Sequence, residues 1–221
     1  MTDRISVSAE AWNALVAAVD AVTNSMREVP DTIAANPAPT PAVAAGRPLL
    51  AWGQKVSRTF RDRVWWIADT LSAAQGAPFD ANNLMACIAW ESGETFSSSV
   101  KNMAGSGATG LIQFMPSTAK DLGTTTSRLA QMTAEDQLNF VYKYFVKIIK
   151  ARGPVVSLED TYMAILLPSA VGKPNSHPLF TGGVAYRQNA GLDSNKDGKV
   201  TKFEAASHVR EKLEKGLRLA A

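Results

Sequence analysis

One cysteine in 221 residues, Cys87, excludes an internal disulfide, and its place in "LMACIAW" marks a small buried hydrophobe, not a reactive thiol. The two histidines, His177 and His208, lie apart with no further histidine or cysteine at ligand spacing, which argues against a zinc site. No apolar run approaches the ~18 residues of a membrane span. The stretch "ALVAAV" near the start is closed by Asp20, so a signal-peptide layout is not expected either. Alternating apolar and polar runs are also missing, as is any internal repeat, and this removes the β-rich and solenoid classes. Charge of neither sign dominates: residues 1 to 48 hold three Lys/Arg against five Asp/Glu, and the remainder holds twenty against fifteen. A modest basic surplus suits an anionic polymer such as nucleic acid or a bacterial wall. No nucleic-acid motif accompanies it, and Trp65 and Trp66 read as core or cleft wall, so no nucleic-acid partner is expected.

What is present is helical periodicity. The five prolines of "VPDTIAANPAPTPAVAAGRP" mark an extended, semi-rigid linker over residues 30–48. It separates an N-terminal helix within residues 1–29 from a domain at 49–221. Upstream, Trp12, Leu15, Val19, Val22 and Met26 form a short a/d seam, which predicts self-association or attachment to another protein through residues 8–28. Downstream, Phe60, Val64, Ile67 and Leu71 repeat at helical spacing until "QGAPFD" breaks the pattern. A second helix covers "NNLMACIAW", a third opens at Pro116 and closes at Gly123, and longer ones cover "AEDQLNFVYKYFVKIIKA" and "LEDTYMAILL". The fold class is therefore mainly α.

Within "AWESGETF" an acid occupies an awkward place. Leu84, Ile88 and Glu91 fall on one helix face, and "SG" stops the helix immediately afterwards. Glu91 thus sits in the last turn, pointing toward the core. The negative end of the helix dipole and partial burial both disfavour its ionised form and raise its pKa, as a general acid requires. Glu94 lies beyond the stop and reads as a solvated surface residue. Gly105, Gly107 and Gly110 punctuate the following loop as a flexible turn or a place of close backbone approach to a ligand, and the amide of Gln113 can both donate and accept hydrogen bonds. Phe114 and Met115 read as core.

Taken together, "ESG" and "GSGATGLIQFMPSTAKDLG" resemble the soluble lytic transglycosylases. The residues that carry the resemblance are Glu91, Ser92, Ser106, Gly107, Gly110, Leu111, Gln113, Met115, Pro116, Thr118 and Ala119. It spans roughly residues 60 to 168. It implies a lysozyme-like, mainly helical domain that cleaves the β-1,4 bond between MurNAc and GlcNAc of peptidoglycan, with Glu91 catalytic and Ser92, Ser106, Gly107, Gly110 and Gln113 binding substrate. The family uses the carbon-6 hydroxyl of the sugar as nucleophile, leaves a 1,6-anhydro end, and needs no second carboxylate and no cofactor for catalysis. Its Ala-Tyr-Asn segment corresponds to "DTYMAILLP", which assigns Tyr162 to the cleft although Met163 stands where asparagine is expected. The following "SAVGKPNSHPLF" resembles a phage-type branch, implying an endolysin or virion-associated lysin that is held in the host cytoplasm until release to the wall, or carried in the particle.

A second motif is independent. In "DSNKDGKVTKFE", Asp193, Asn195, Asp197, Lys199 through its carbonyl, Thr201 and Glu204 occupy the ligand positions of an EF-hand-like calcium loop, with Gly198 at the sharp turn. A structural Ca2+ is expected, weakened by Lys196, Lys199 and Lys202. The incoming "GGVAYRQNAG" makes a poor helix and "KFEAASHVREKLEKGL" a good outgoing one. Other readings of the chain are a hydrolysing muramidase on the same scaffold, a non-catalytic wall-binding virion protein, and a calcium-regulated adaptor.

Overall fold

The computed structural model describes residues 47–102 and 105–220. The seam at 8–28 and the segment 30–46 lie outside the described residues. Arg47 already pairs with Asp69 at 2.6 Å, and Leu50, Ala51 and Trp52 are buried, so the folded unit reaches residue 47.

The fold is mainly α, as expected from the periodicity. Helix α1 (Arg58–Gln75) starts where the Ser57 side chain accepts the Phe60 amide, and ends at Gly76 with φ of 66°. Its buried stripe is the expected Phe60, Val64, Ile67 and Leu71. Helix α2 (Ala81–Glu91) is capped by Asp80, which accepts from the Asn82 amide. Residues 84 to 89 of α2 are wholly without exposure. An all-round apolar helix must be covered on every side.

Two short helices follow, α3 (Pro116–Asp121) and α4 (Thr126–Gln131). The latter is not apparent in the sequence, since six residues give little more than one period. Helix α5 (Ala134–Arg152) carries Glu135 and Asp136 in its first turn and Lys150 and Arg152 in its last, matching the helix dipole, and lies against α1. Helix α6 (Leu158–Leu166) is capped by Ser157 and packs on α2.

The C-terminal part departs from expectation in three ways. The two strands β1 (Pro178–Phe180) and β2 (Val200–Thr201) pair antiparallel, Pro178 opposite Thr201 and Phe180 opposite Val200. They are too short for alternation to register. The incoming "GGVAYRQNAG" does form a helix, α7 (Gly183–Asn189), though none of its residues is buried. The outgoing helix breaks at Ala206 into α8 (Lys202–Ala205) and α9 (Ser207–Ala220).

The break follows from what α8 must bury. Lys202 is 1% exposed, its Nζ 2.5 Å from Asp160 Oδ1 in α6 and 2.8 Å from the carbonyl of Lys173. A buried ion pair is tolerated when its remaining groups are bonded, and Asp160 Oδ1 also accepts the Gly172 amide. Helix α9 then turns to cover α2. Gly216 sits so close to Trp52 that a Cβ there would lie 2.3 Å from the indole, so glycine is required for the contact.

Candidate active site

Glu91 is the last residue of α2, with Ser92 as C-cap. After it the chain turns through two consecutive left-handed residues, Gly93 at φ 61° and Glu94 at φ 65°, and a third at Phe96 with φ 53°. Non-glycine residues enter this region at some energetic cost, and such strain gathers at functional sites. The turn is over-determined by bonds. The Glu94 amide donates to the carbonyl of Ala89 at 2.7 Å, Ser92 Oγ accepts the Phe96 amide at 3.1 Å, and Thr95 Oγ1 donates to the Ser92 carbonyl at 2.7 Å.

Burial raises the Glu91 carboxyl from its ordinary 4.5 to about 7. Desolvation is the whole cause, with no neighbouring carboxylate contributing. Tyr162, buried in α6, lies within electrostatic reach: burial first, then the Glu91 charge, push its hydroxyl well above the usual phenol range. Its oxygen accepts from Trp90 Nε1 at 3.2 Å. Cys87, one turn before Glu91 on α2, is fully buried and its thiol is held protonated by that burial and by Glu91. Tyr162 and Cys87, both buried, thus lie within electrostatic reach of Glu91.

Glu94 requires correction. It is not a solvated surface acid: its two oxygens meet Lys212 at 2.5 Å and Lys215 at 2.6 Å, both from α9. These bonds hold its carboxyl below the usual carboxylate range. It clamps the C-terminal helix to the turn behind Glu91.

The glycine loop is pinned from below. Bridges pair Thr109 with Lys101 and with Phe114, and the Gly110 amide donates to Val100 O at 2.8 Å. Beneath it, wholly buried Gln137 of α5 accepts the Leu111 amide at 2.6 Å and donates to the carbonyls of Ser98 and Leu129. A Cβ at Gly110 would fall 2.2 Å from Gln137 Oε1, so packing by itself already demands glycine here. Gln137 escaped sequence reasoning. The available signal was an amide on the apolar face of α5, next to Leu138 and Val141, where a polar group needs partners.

The expected substrate residues divide accordingly. Ser106 and Gly107 are exposed on the loop. Gln113, at φ 52°, gives its Nε2 to the carbonyls of Val100 and Gly110, so its amide group braces the loop. Ser92 is 1% exposed, and its hydroxyl oxygen accepts the Phe96 amide within the turn. Phe114 is core as expected, but Met115 is 44% exposed beside the loop, because Pro116 starts α3 and its predecessor is left outside.

The loop at 193–204 is a separate unit. Asp193 Oδ2 accepts from Tyr186 Oη at 2.7 Å and from the Gly198 amide, while Glu204 Oε2 accepts the Thr201 amide and hydroxyl. Asn195 and Asp197 accept the amides of Asp197 and Lys199, and Gly198 takes φ 82°. All donors are oxygens suited to a hard cation. Among the described residues, no three carboxylate, imidazole or thiol groups gather to hold a metal ion. The carboxylates of the loop are engaged by its own donors and by Tyr186.

A raised pKa makes stability pH-dependent. Below pH 4.5 Glu91 is protonated in both the folded and unfolded chain; as pH rises from there to about 7 the unfolded chain ionises first, and stability is lost. Glu91→Gln is expected to be neutral at pH 4 and to stabilise the fold by about 1–3 kcal/mol at pH 8. Urea unfolding at the two pH values checks this; an equal effect at both would show an unperturbed carboxyl.

Comparison with known proteins agrees with this arrangement. No curated protein matches the chain. Among the described residues, no helix is long and apolar enough to cross a membrane. Residues 70–149, from the end of α1 through α5, match the family model of the Transglycosylase SLT domain, whose members are lytic transglycosylases; the chain thus carries an enzyme domain of the class that cleaves peptidoglycan glycosidic bonds.

Proposed function

We propose that the protein cleaves the β-1,4 bond between MurNAc and GlcNAc with Glu91 as its single catalytic acid and base, forming 1,6-anhydroMurNAc ends. The observation that carries this reading is a desolvated glutamic acid, raised to about 7, with no second carboxylate contributing to its shift. Protonated Glu91 gives its proton to the glycosidic oxygen as the bond from carbon 1 breaks. The resulting carboxylate takes the proton of the carbon-6 hydroxyl as that oxygen closes on carbon 1. Enzymes that use two carboxylates place the second across the bond, and Glu94, the nearest acid in sequence, is committed to two lysines. A muramidase on the same scaffold would need a general base for water.

The setting we propose is a phage endolysin or virion-associated lysin, supported by the resemblance of "SAVGKPNSHPLF" to the phage-type branch. Residues 8–28 would then join copies of the chain or attach it to a particle. Loop 193–204 would hold a structural Ca2+ through Asp193, Asn195, Asp197, the Lys199 carbonyl, Thr201 and Glu204, a reading that rests on donor chemistry and on the turn at Gly198. Binding would displace the bonds from Tyr186 and Thr201.

Glu91→Gln is expected to lower wall degradation by at least about a hundredfold with folding retained, since an amide has no proton to give. Wild-type muropeptides should carry anhydro ends by mass spectrometry. Reducing ends as the main product would establish the muramidase reading. For the loop, chelation should lower the melting temperature, and Glu204→Ala should abolish that response; a melting curve indifferent to chelator and calcium removes the metal. Deleting residues 1–46 should reduce the sedimentation coefficient to that of a monomer, and an unchanged assembly state would exclude that segment as the contact.

A further inference from the structure

A cation taken out of water ordinarily has an acceptor beside it. Among the described residues, Arg47, Arg61, Arg63, Lys202, Arg210 and Lys212 are buried or half-buried, and each reaches a carboxylate or a backbone carbonyl. Lys143 of α5 is half-buried as well and reaches neither among the described residues. Its Nζ lies 5.3 Å from the centroid of the Phe140 ring, one turn earlier on the same helix, and that ring is its partner. An aromatic face attracts an ammonium group but leaves its charge unneutralised. Burial pulls the Lys143 pKa below the usual lysine range, with no anion opposing the shift. Methionine would fill similar space without a desolvated charge, so the fold itself does not call for a cation here.

The place of Lys143 in the fold follows from its neighbours on α5. Tyr144, the next residue, donates its hydroxyl to the Ala164 carbonyl of α6 at 2.6 Å, and its ring meets that of Phe114, which closes the glycine loop, edge-on with centroids 6.2 Å apart. Lys147, one turn further on, lies 3.7 Å from Asp121, the last residue of α3. Phe140, Lys143, Tyr144 and Lys147 stand at i, i+3, i+4 and i+7 and so share one side of the helix. That side borders the glycine loop, α3 and α6. Asp121 pairs with Lys147, and Lys143 is left without an anion.

Resting on the reading of the chain as a peptidoglycan-cleaving enzyme, we propose that Lys143 is a specificity-determining residue that takes a carboxylate of the substrate, supplied by the peptide stems that branch from the glycan. A glycan of alternating MurNAc and GlcNAc carries no charge where its lactyl groups are amide-linked to peptide, so the anions of such a strand are the free carboxylates of its stems. The half-buried setting suits that ligand. An ion-paired hydrogen bond to an ammonium group is stronger where solvent is partly excluded, and the Phe140 ring offers an apolar face to the aliphatic part of a stem. Exposed Lys147 and Lys150 continue the same side of α5 and add positive potential along it. A phosphate polymer of the wall would bring the same sign of charge, and its contribution is separable by chemistry.

Steady-state cleavage by the full chain tests this on three preparations of purified wall: untreated, with free carboxyl groups converted to amides by carbodiimide and ammonia, and with phosphate polymers removed by hydrofluoric acid. Wild type should show kcat/KM about tenfold lower on amidated wall, chiefly through KM, and a value within about twofold of untreated on phosphate-free wall. Lys143→Met should lose the discrimination, its values on untreated and amidated wall agreeing within about twofold, and Lys143→Arg should retain it. Lys143→Met should also melt at or above the wild-type temperature, because it removes a desolvated charge. Discrimination by Lys143→Met equal to that of wild type, or a dependence on Lys143 that follows phosphate instead of carboxylate, overturns the inference. A lower melting temperature for Lys143→Met overturns it too, since the lysine would then be holding the fold. Failure of the underlying reading looks different: wild type would release no glycan fragments from any of the three walls.

Discussion

A carboxyl group at the end of a helix that is apolar on every side is the constraint around which this domain is arranged. Residues 84 to 89 of α2 are without exposure, and a helix of that kind is stable only when neighbours cover its whole circumference. Helices α1, α6 and α9 do so. The same covering removes water from Glu91, and this desolvation raises its pKa. Stability of the fold and acidity of the site therefore have one physical origin.

Polar side chains buried in the core act as locating pins rather than as sources of net stability. Gln137 ties the glycine loop to α5 and to the turn after the candidate acid through the carbonyl of Ser98. Gln75 does the same for the connection into α6, exchanging bonds with the amide and carbonyl of Val155. Lys202 and Asp160 join the C-terminal loop to α6. Each pin is bonded at several points, which is the condition under which a buried polar group specifies one arrangement. Their common effect is to hold α6 and the glycine loop against the end of α2.

The resemblance to the lytic transglycosylases and the match over residues 70–149 cover the acid, the glycine loop and α5. What they leave out is α9. Its ion pairs to Glu94 and Glu159 and the stack of His208 on Trp90 link the C-terminal segment to α6 and to the residues on either side of Glu91.

The sequence by itself determined the helices that have a long apolar period and a capping residue, namely α1, α2, α5 and α6, because those signals are local. It also determined that Glu91 ends its helix facing inward, since spacing and the Ser-Gly stop suffice for that. It did not disclose α4, the break at Ala206 or the exposure of Met115, each decided by elements too short to carry a period or by a proline at the next residue. Only the tertiary structure decided the roles of Gln137, Lys202 and Glu94, because their bonds to Leu111, Asp160 and Lys215 span 26, 42 and 121 residues of the chain. A hydrogen bond or ion pair at such separation leaves no periodic trace, and the same glutamate reads as a solvated acid until the helix bearing its two lysines is folded against it.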